Sequence, residues 1–388
     1  MSSTDLTYAR SRLRLGMAGV GLIVTLATVG LITGAPERTL PDHTLPPTQE
    51  AGWLTLLFLT YAVVQGPFDL LGGWILPRRH GREVHGAVAH LVRWMRGVAT
   101  QGAVLVASCL VMLDVSRRGG DNAAWLSAAG LMVLLVALQG PLARLAGGFG
   151  AVTPAPGALQ ERVTAAVGRR VRVRFWEAAD EGFTGGWFGL PGAESLVLPA
   201  RWWSQLSPDA LDAAALRRAA ALRSGARSRG LLLALVFNTA GLVLASQLPG
   251  AGFGSVAQLA TTALGVTLWN FVGLLVLPSA SRQAVLAADA SAQEMGATSG
   301  SLTRAIDALD RWQDDEPSRS PLVETIFHPV PSVERRLAAL DERSARTGGA
   351  WHAARMALFL SWGALGLLPR AVHCNAGRPQ LWVALPAD

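Results

Sequence analysis

The chain has 388 residues, 51% of them hydrophobic, and a formal net charge of +7. That apolar share, gathered into uncharged blocks, argues against a soluble protein. All 34 basic residues are arginine, scattered without an aromatic-interleaved patch, which argues against a nucleic-acid surface and suits anionic lipid.

Residues 1–14 carry Arg10, Arg12 and Arg14 and lack a small-residue cleavage site after a short apolar core. The first apolar stretch therefore reads as an anchor and not as a removed signal. Stretches 15–34, 51–68, 97–113 and 123–142 contain no charged residue, and each approaches the ~20 residues that cross a bilayer. The uncharged tract 230–281, interrupted by "LPGAGFG", reads as a hairpin of two more spans, 231–248 and 256–277. The sequence thus predicts six spans.

Arginine counts in the loops orient them. The N-terminal tail and the loop after the second span are arginine-rich, whereas loops 35–50, 114–122 and 249–255 hold only Arg38, Arg117 and Arg118. Both ends, and the parts 143–229 and 282–346, are expected in the cytoplasm of a bacterium whose inner membrane holds the spans.

Between spans four and five, "RRVRVRFWEA" and "SLVLPARWW" read as strands around a turn-rich "GFTGGWFGLPG". "LSPDALDAAALRRAAAL" follows as a helix capped by Ser207, with Pro208 at its first position. After the hairpin come helices in "RQAVLAADASAQEMGA" and "SLTRAIDALDRW", an acidic linker "QDDEPSRSP", and "HPVPSVERRLAALDER", in which Pro331 and Ser332 open a helix. The C-terminal part, 347–388, contains an apolar stretch, 356–369, too short for a span and expected to lie at the interface or packed in a groove. The fold class is thus a polytopic α-helical membrane protein with a small α+β cytoplasmic part.

This order resembles the membrane-embedded zinc metallopeptidases that include the bacterial heat-shock membrane endopeptidase and the CAAX prenyl endopeptidase. There a strand and turn lead into an "L-S-x-D-E-L-x-A-V-x-A-H-E-x-x-H" helix, a membrane hairpin, "S-R-x-x-E-x-x-A-D" and "H-P-P-x-x-x-R". Here "LSPDALDAAALRRAAAL", the hairpin, "SRQAVLAAD" and "HPVPSVERRLAAL", with His328 leading the last, stand in the same order. Laid on the motifs, the ligand histidines fall on Arg217 and Ala221, the general-base glutamate on Arg218, and the third ligand on Val285.

The resemblance implies a zinc held by two histidines one helical turn apart, with the glutamate taking a proton from metal-bound water. Alanine and valine have no donor atom, and arginine stays protonated and repels a cation. No metal or other cofactor is therefore expected. Asp289 matches the family aspartate that orients a ligand histidine. Either Arg217 or Arg218 pairs with it, an ion pair filling the metal's space, or both arginines point to water or lipid phosphate.

The expectation is a pseudopeptidase that binds or scaffolds other integral membrane proteins or unfolded peptides. Its candidate binding edge is Ser195, Leu196, Val197, Leu198 and Pro199, since strand addition uses main-chain groups alone. Two alternatives stand beside it: an active endopeptidase with other ligands, and a structural subunit of a larger membrane complex.

Other candidates carry weaker signals. His80, His85 and His90 recur every five residues and scatter over a helix surface. His373 and Cys374 are adjacent but lack a nucleophile elbow. Cys109 and Cys374 form no metal pair. Asp69 reads as an interfacial residue after a helix ended by Gly66 and Pro67, and Asn238 and Asn270 as helix-to-helix hydrogen-bonding groups of the hairpin.

Overall fold

The structure, a computed structural model, describes residues 6–82, 85–342 and 348–384. Helix α1, Tyr8–Thr33, is capped by Thr7, whose hydroxyl accepts from the Arg10 amide, and closes at the left-handed Gly34. Helix α2, Pro47–Leu70, runs on through one π-turn, Leu71–Ile75, into Leu76–Arg79. Helix α3, Ala87–Ala137, has 51 residues, far longer at about 1.5 Å per residue than the ~30 Å of a hydrocarbon core. It breaks at Gly120, where φ is 72° and ψ is −177°, a conformation open to glycine and strained for other residues.

The predicted third and fourth spans are the two arms of this one element. The described residues accordingly contain five helices long and apolar enough to cross a membrane, where six spans were expected.

Helix α4, Gln139–Ala146, leads to the α+β part: β1 Phe149–Pro154, α5 Gly157–Val167, β2 Arg172–Ala178, β3 Gly186–Phe188 and β4 Ser195–Pro199. The sheet order is β1-β2-β4-β3. β2 and β4 are parallel, with Val173 opposite Leu196 and Phe175 opposite Leu198, while β3 pairs antiparallel with β4, Trp187 opposite Leu196.

This corrects the candidate binding edge. Ser195 to Pro199 has a strand on each side, so its main-chain groups serve the sheet, and Leu196, Val197 and Leu198 are buried. On that side of the sheet the edge belongs to β3.

Helix α6, Pro208–Arg223, begins at Ser207, whose Oγ accepts from the Ala210 amide at 3.4 Å. Its apolar face packs with α5, β2, β4 and helix α9, Ser299–Gln313, in one core that includes Val163, Phe175, Leu198, Trp202, Leu216 and Ile306. Between α6 and α9 run α7, Ala226–Ala245, and α8, Val256–Glu294. The sixth predicted span and the "AVLAAD" helix are thus a single element of 39 residues, which carries Val285 and Asp289. Helices α9 Ser299–Gln313, α10 Pro321–Phe327, α11 Val333–Asp341 and α12 Ala353–Leu360 complete the longer helices.

The C-terminal segment is packed inside the molecule and is not interfacial. Every residue of α12 is buried, between α7 and α8, and the 3-10 turn Ser361–Ala364 lies against α3. Asn238 donates to the Ala357 carbonyl at 2.9 Å, so its bond goes to this segment and not to the other hairpin span.

Asp69 also departs from expectation. Helix α2 continues through Pro67, and Asp69 is fully buried and ion-paired with Arg370, equally buried, while accepting from Trp94 Nε1 at 2.9 Å and the Gly377 amide at 2.8 Å. An interfacial carboxylate would be solvated; this one is an internal anchor for the C-terminal segment.

A second anchor joins Arg378 to Asp180, with Nε donating to Oδ2 at 2.6 Å. Burial works to raise the Asp180 pKa, but Arg378 outweighs it and lowers it to about 2. A carboxylate held below its unfolded value of about 3.9 contributes stability above roughly pH 4, lost as pH falls from there toward 2. Asp180→Asn is therefore expected to be less stable than the natural chain at neutral pH by on the order of 2–3 kcal/mol. The gap should close on acidification, as followed by unfolding midpoints in detergent between pH 7 and 2; a constant gap would exclude the pair as its source.

Candidate functional site

Helix α6 and the middle of α8 cross at the positions the sequence marks. Arg217 and Arg218 are both fully buried, although mid-helix arginines ordinarily reach solvent. Arg217 Nε donates to Asp289 Oδ1. From the other side Arg336 of α11 donates to the same carboxylate, Nε to Oδ2 at 2.8 Å and Nη2 to Oδ1 at 3.1 Å. One buried carboxylate thus lies between two guanidiniums.

Arg218 turns away from Asp289. Its Nη1 donates to the Ala214 carbonyl at 2.6 Å and Nη2 to the Thr184 carbonyl at 2.7 Å, and its guanidinium sits 4.9 Å over the Trp202 ring. It fastens α6 to the loop before β3, which Trp187 Nε1 reinforces by donating to the Arg218 carbonyl at 2.7 Å.

Ala221 and Val285 lie in one small apolar cluster with Ala220, Ala284, Ala288, Val330 and Trp351. Val330 there, and not His328, corrects the placement of the last motif. The family spacing from histidine to arginine is six: counted from His328 it reaches Glu334, counted from Val330 it reaches Arg336. Val330 and Arg336 are the residues the sequence reading missed, and that spacing was the signal for them. His328 faces a neighbouring cavity, beside Asp314 and His373, whose wall Val330 and Arg336 also reach.

The residues present do not fit a zinc. Alanine and valine offer no lone pair at Ala221 and Val285, and Arg217 brings positive charge to the remaining ligand position. Asp289 is engaged by the arginines. Among the described residues no group of three or more His, Cys, Asp and Glu is arranged to hold a metal.

A capped helix after a small sheet, an apolar hairpin and a returning helix meeting at a buried carboxylate define a multi-pass membrane protein of metallopeptidase-like fold. The crystal structure of Ste24p from S. mikatae, a membrane CAAX prenyl endopeptidase, is similar in fold, with a TM-score of 0.63, 14% identity, and 86% of this chain and 83% of that chain covered. No family model and no curated protein matches the sequence. The fold expected from the motif resemblance is the one this likeness shows.

Proposed function

We propose that this chain is a catalytically inactive form of the membrane metallopeptidase fold, serving in a bacterial inner membrane, with both ends cytoplasmic, as a scaffold for other integral membrane proteins. The observation that carries this is Asp289 clamped between Arg217 and Arg336, beside the apolar cluster of Ala221, Val285 and Val330. With no lone-pair ligands to hold a metal and its carboxylate already engaged by two arginines, the site offers neither a metal-bound water nor a free general base for the family's hydrolytic step.

The partners in this reading are membrane segments, in preference to extended peptides added at β3. The β3 edge is itself buried, and Trp351, His352 and Met356 of the C-terminal part stand in the pocket beside Trp187 and Phe188, while the opposite edge, β1, is mostly exposed. Five apolar helices with lipid-sized exposed faces leave ample surface for helix-to-helix contact.

The test is the metal content of the detergent-purified chain beside Arg217→His, Arg218→Glu, Ala221→His and Val285→Glu combined. The natural chain is expected to carry no stoichiometric zinc and the rebuilt one about one per chain. Stoichiometric zinc in the natural chain, or metal-dependent casein cleavage by it, would overturn the proposal in favour of an active endopeptidase with ligands elsewhere.

A further inference from the structure

A cavity of about 320 Å³ lies between α1 and α8, where these helices meet the α+β part. Its wall has two chemically distinct regions. Met17 and Leu275, 43% and 45% exposed on apolar spans, stand with Val20, Gly21 and Phe271 on the side that faces lipid. The opposite region carries Asp314, Arg319, His328 and His373.

His328 is 5% exposed, and its Nε2 has no hydrogen-bond partner among the described residues. A buried polar atom left unpaired is costly, and such atoms are uncommon in folded chains. The other ring nitrogen, Nδ1, stands 3.9 Å from Asp314 Oδ2. Burial and the neighbouring Arg319 hold the His328 pKa well below its usual value, so the ring is neutral at pH 7. Burial works to raise the Asp314 pKa, but Arg319 outweighs it and keeps the carboxylate ionised. The charge of Asp314 favours the proton on Nδ1, which assigns Nε2 as a bare acceptor.

Three of the arginines in its wall have carboxylate partners, and Arg355 stands in the same wall. Arg319 donates to Asp314 at 2.9 Å, Arg336 is paired with Asp289, and Arg378 with Asp180. An ionic head group would have to carry its charge into a largely desolvated space, whereas an uncharged donor supplies what His328 lacks without that cost.

We infer that this cavity binds an uncharged single-chain amphiphile with a hydroxyl head, of the monoacylglycerol class, entering from the bilayer between Met17 and Leu275 and donating its hydroxyl to His328 Nε2. The lipid-facing wall and the orphaned acceptor together specify the ligand: a chain that leaves toward the membrane and a head that donates without carrying charge. This goes beyond the scaffold reading and does not depend on it, since His328 and Asp314 are not among the degenerate metal positions, although Val330 and Arg336 reach the same wall.

The experiment uses the full-length chain in maltoside detergent, with monoolein, methyl oleate and oleate titrated and bound lipid counted by native mass spectrometry. Monoolein is expected to bind at about one per chain and at least about tenfold more tightly than methyl oleate, which has no donor. His328→Phe should bind the two alike.

Gly21→Trp fills the lipid-side opening, and a Cβ at Gly21 meets no atom within 4 Å, so this variant should fold with an unchanged melting temperature and lose monoolein. The inference is overturned if methyl oleate or oleate binds the natural chain as tightly as monoolein, the result expected when only water satisfies Nε2. Unchanged monoolein binding by folded Gly21→Trp would overturn it equally.

Discussion

Asp289→Ala is expected to destabilise the protein by about 3–5 kcal/mol, enough to keep much of it from accumulating folded. The side chains of Arg217, Arg336 and Asp289 are at most 4% exposed, so removing the carboxylate strands two guanidiniums in a desolvated space. Their mutual repulsion adds to the cost, because no solvent screens them. Replacing all three groups together, with Arg217→Met, Arg336→Met and Asp289→Leu, should recover most of the loss, since a buried ion cluster exchanged for apolar groups of similar volume is often neutral. Unfolding midpoints in detergent decide it: an unchanged midpoint for Asp289→Ala alone would show that the cluster does not hold α6, α8 and α11 together. The same series bears on function, because a triple variant that folds and still copurifies with its partners separates the cluster's structural role from binding.

Asp69→Asn is expected to have a similar cost, about 3–5 kcal/mol, with a different local signature. Asp69 and Arg370 are each 0% exposed and lie 301 residues apart in the chain. The variant leaves Arg370 buried without its counter-charge and weakens the bonds from Trp94 and Gly377. The C-terminal segment should loosen first, since Asp69 anchors it and little of its own regular structure resists release. Limited proteolysis should cut Asp69→Asn within residues 365–384 under conditions that leave the natural chain intact. Equal protection in both would mean that apolar packing alone retains the segment.

Much of the architecture was legible in the sequence because it rests on local chemistry. Uncharged tracts marked the spans, and Ser207 with Pro208 marked the start of α6 by the ordinary rules of helix capping. The break at Gly120 falls inside the charged stretch 114–122 that the sequence read as the loop between its third and fourth spans; what was not legible is that the chain stays helical on both sides up to that residue. Strand Ser195–Pro199 was recognisable as a strand, yet its inner position depended on a parallel partner and on a three-residue neighbour too short to read. The C-terminal segment was ambiguous for a related reason: its apolar residues suit a membrane interface and a protein interior equally.

The degenerate positions divide in the same way. That Ala221 and Val285 cannot ligate a metal follows from their side chains, whatever surrounds them. That Asp289 is shared by Arg217 and Arg336, and that Arg218 binds carbonyls instead, emerged only from the folded chain. Residue type and spacing within a few turns settle span, cap and donor chemistry, because those interactions close over a handful of bonds. Which buried charge meets which is settled by packing between segments up to 301 residues apart, and desolvation makes those meetings decisive here: a guanidinium taken out of water must find its carboxylate or carbonyls wherever the chain brings them.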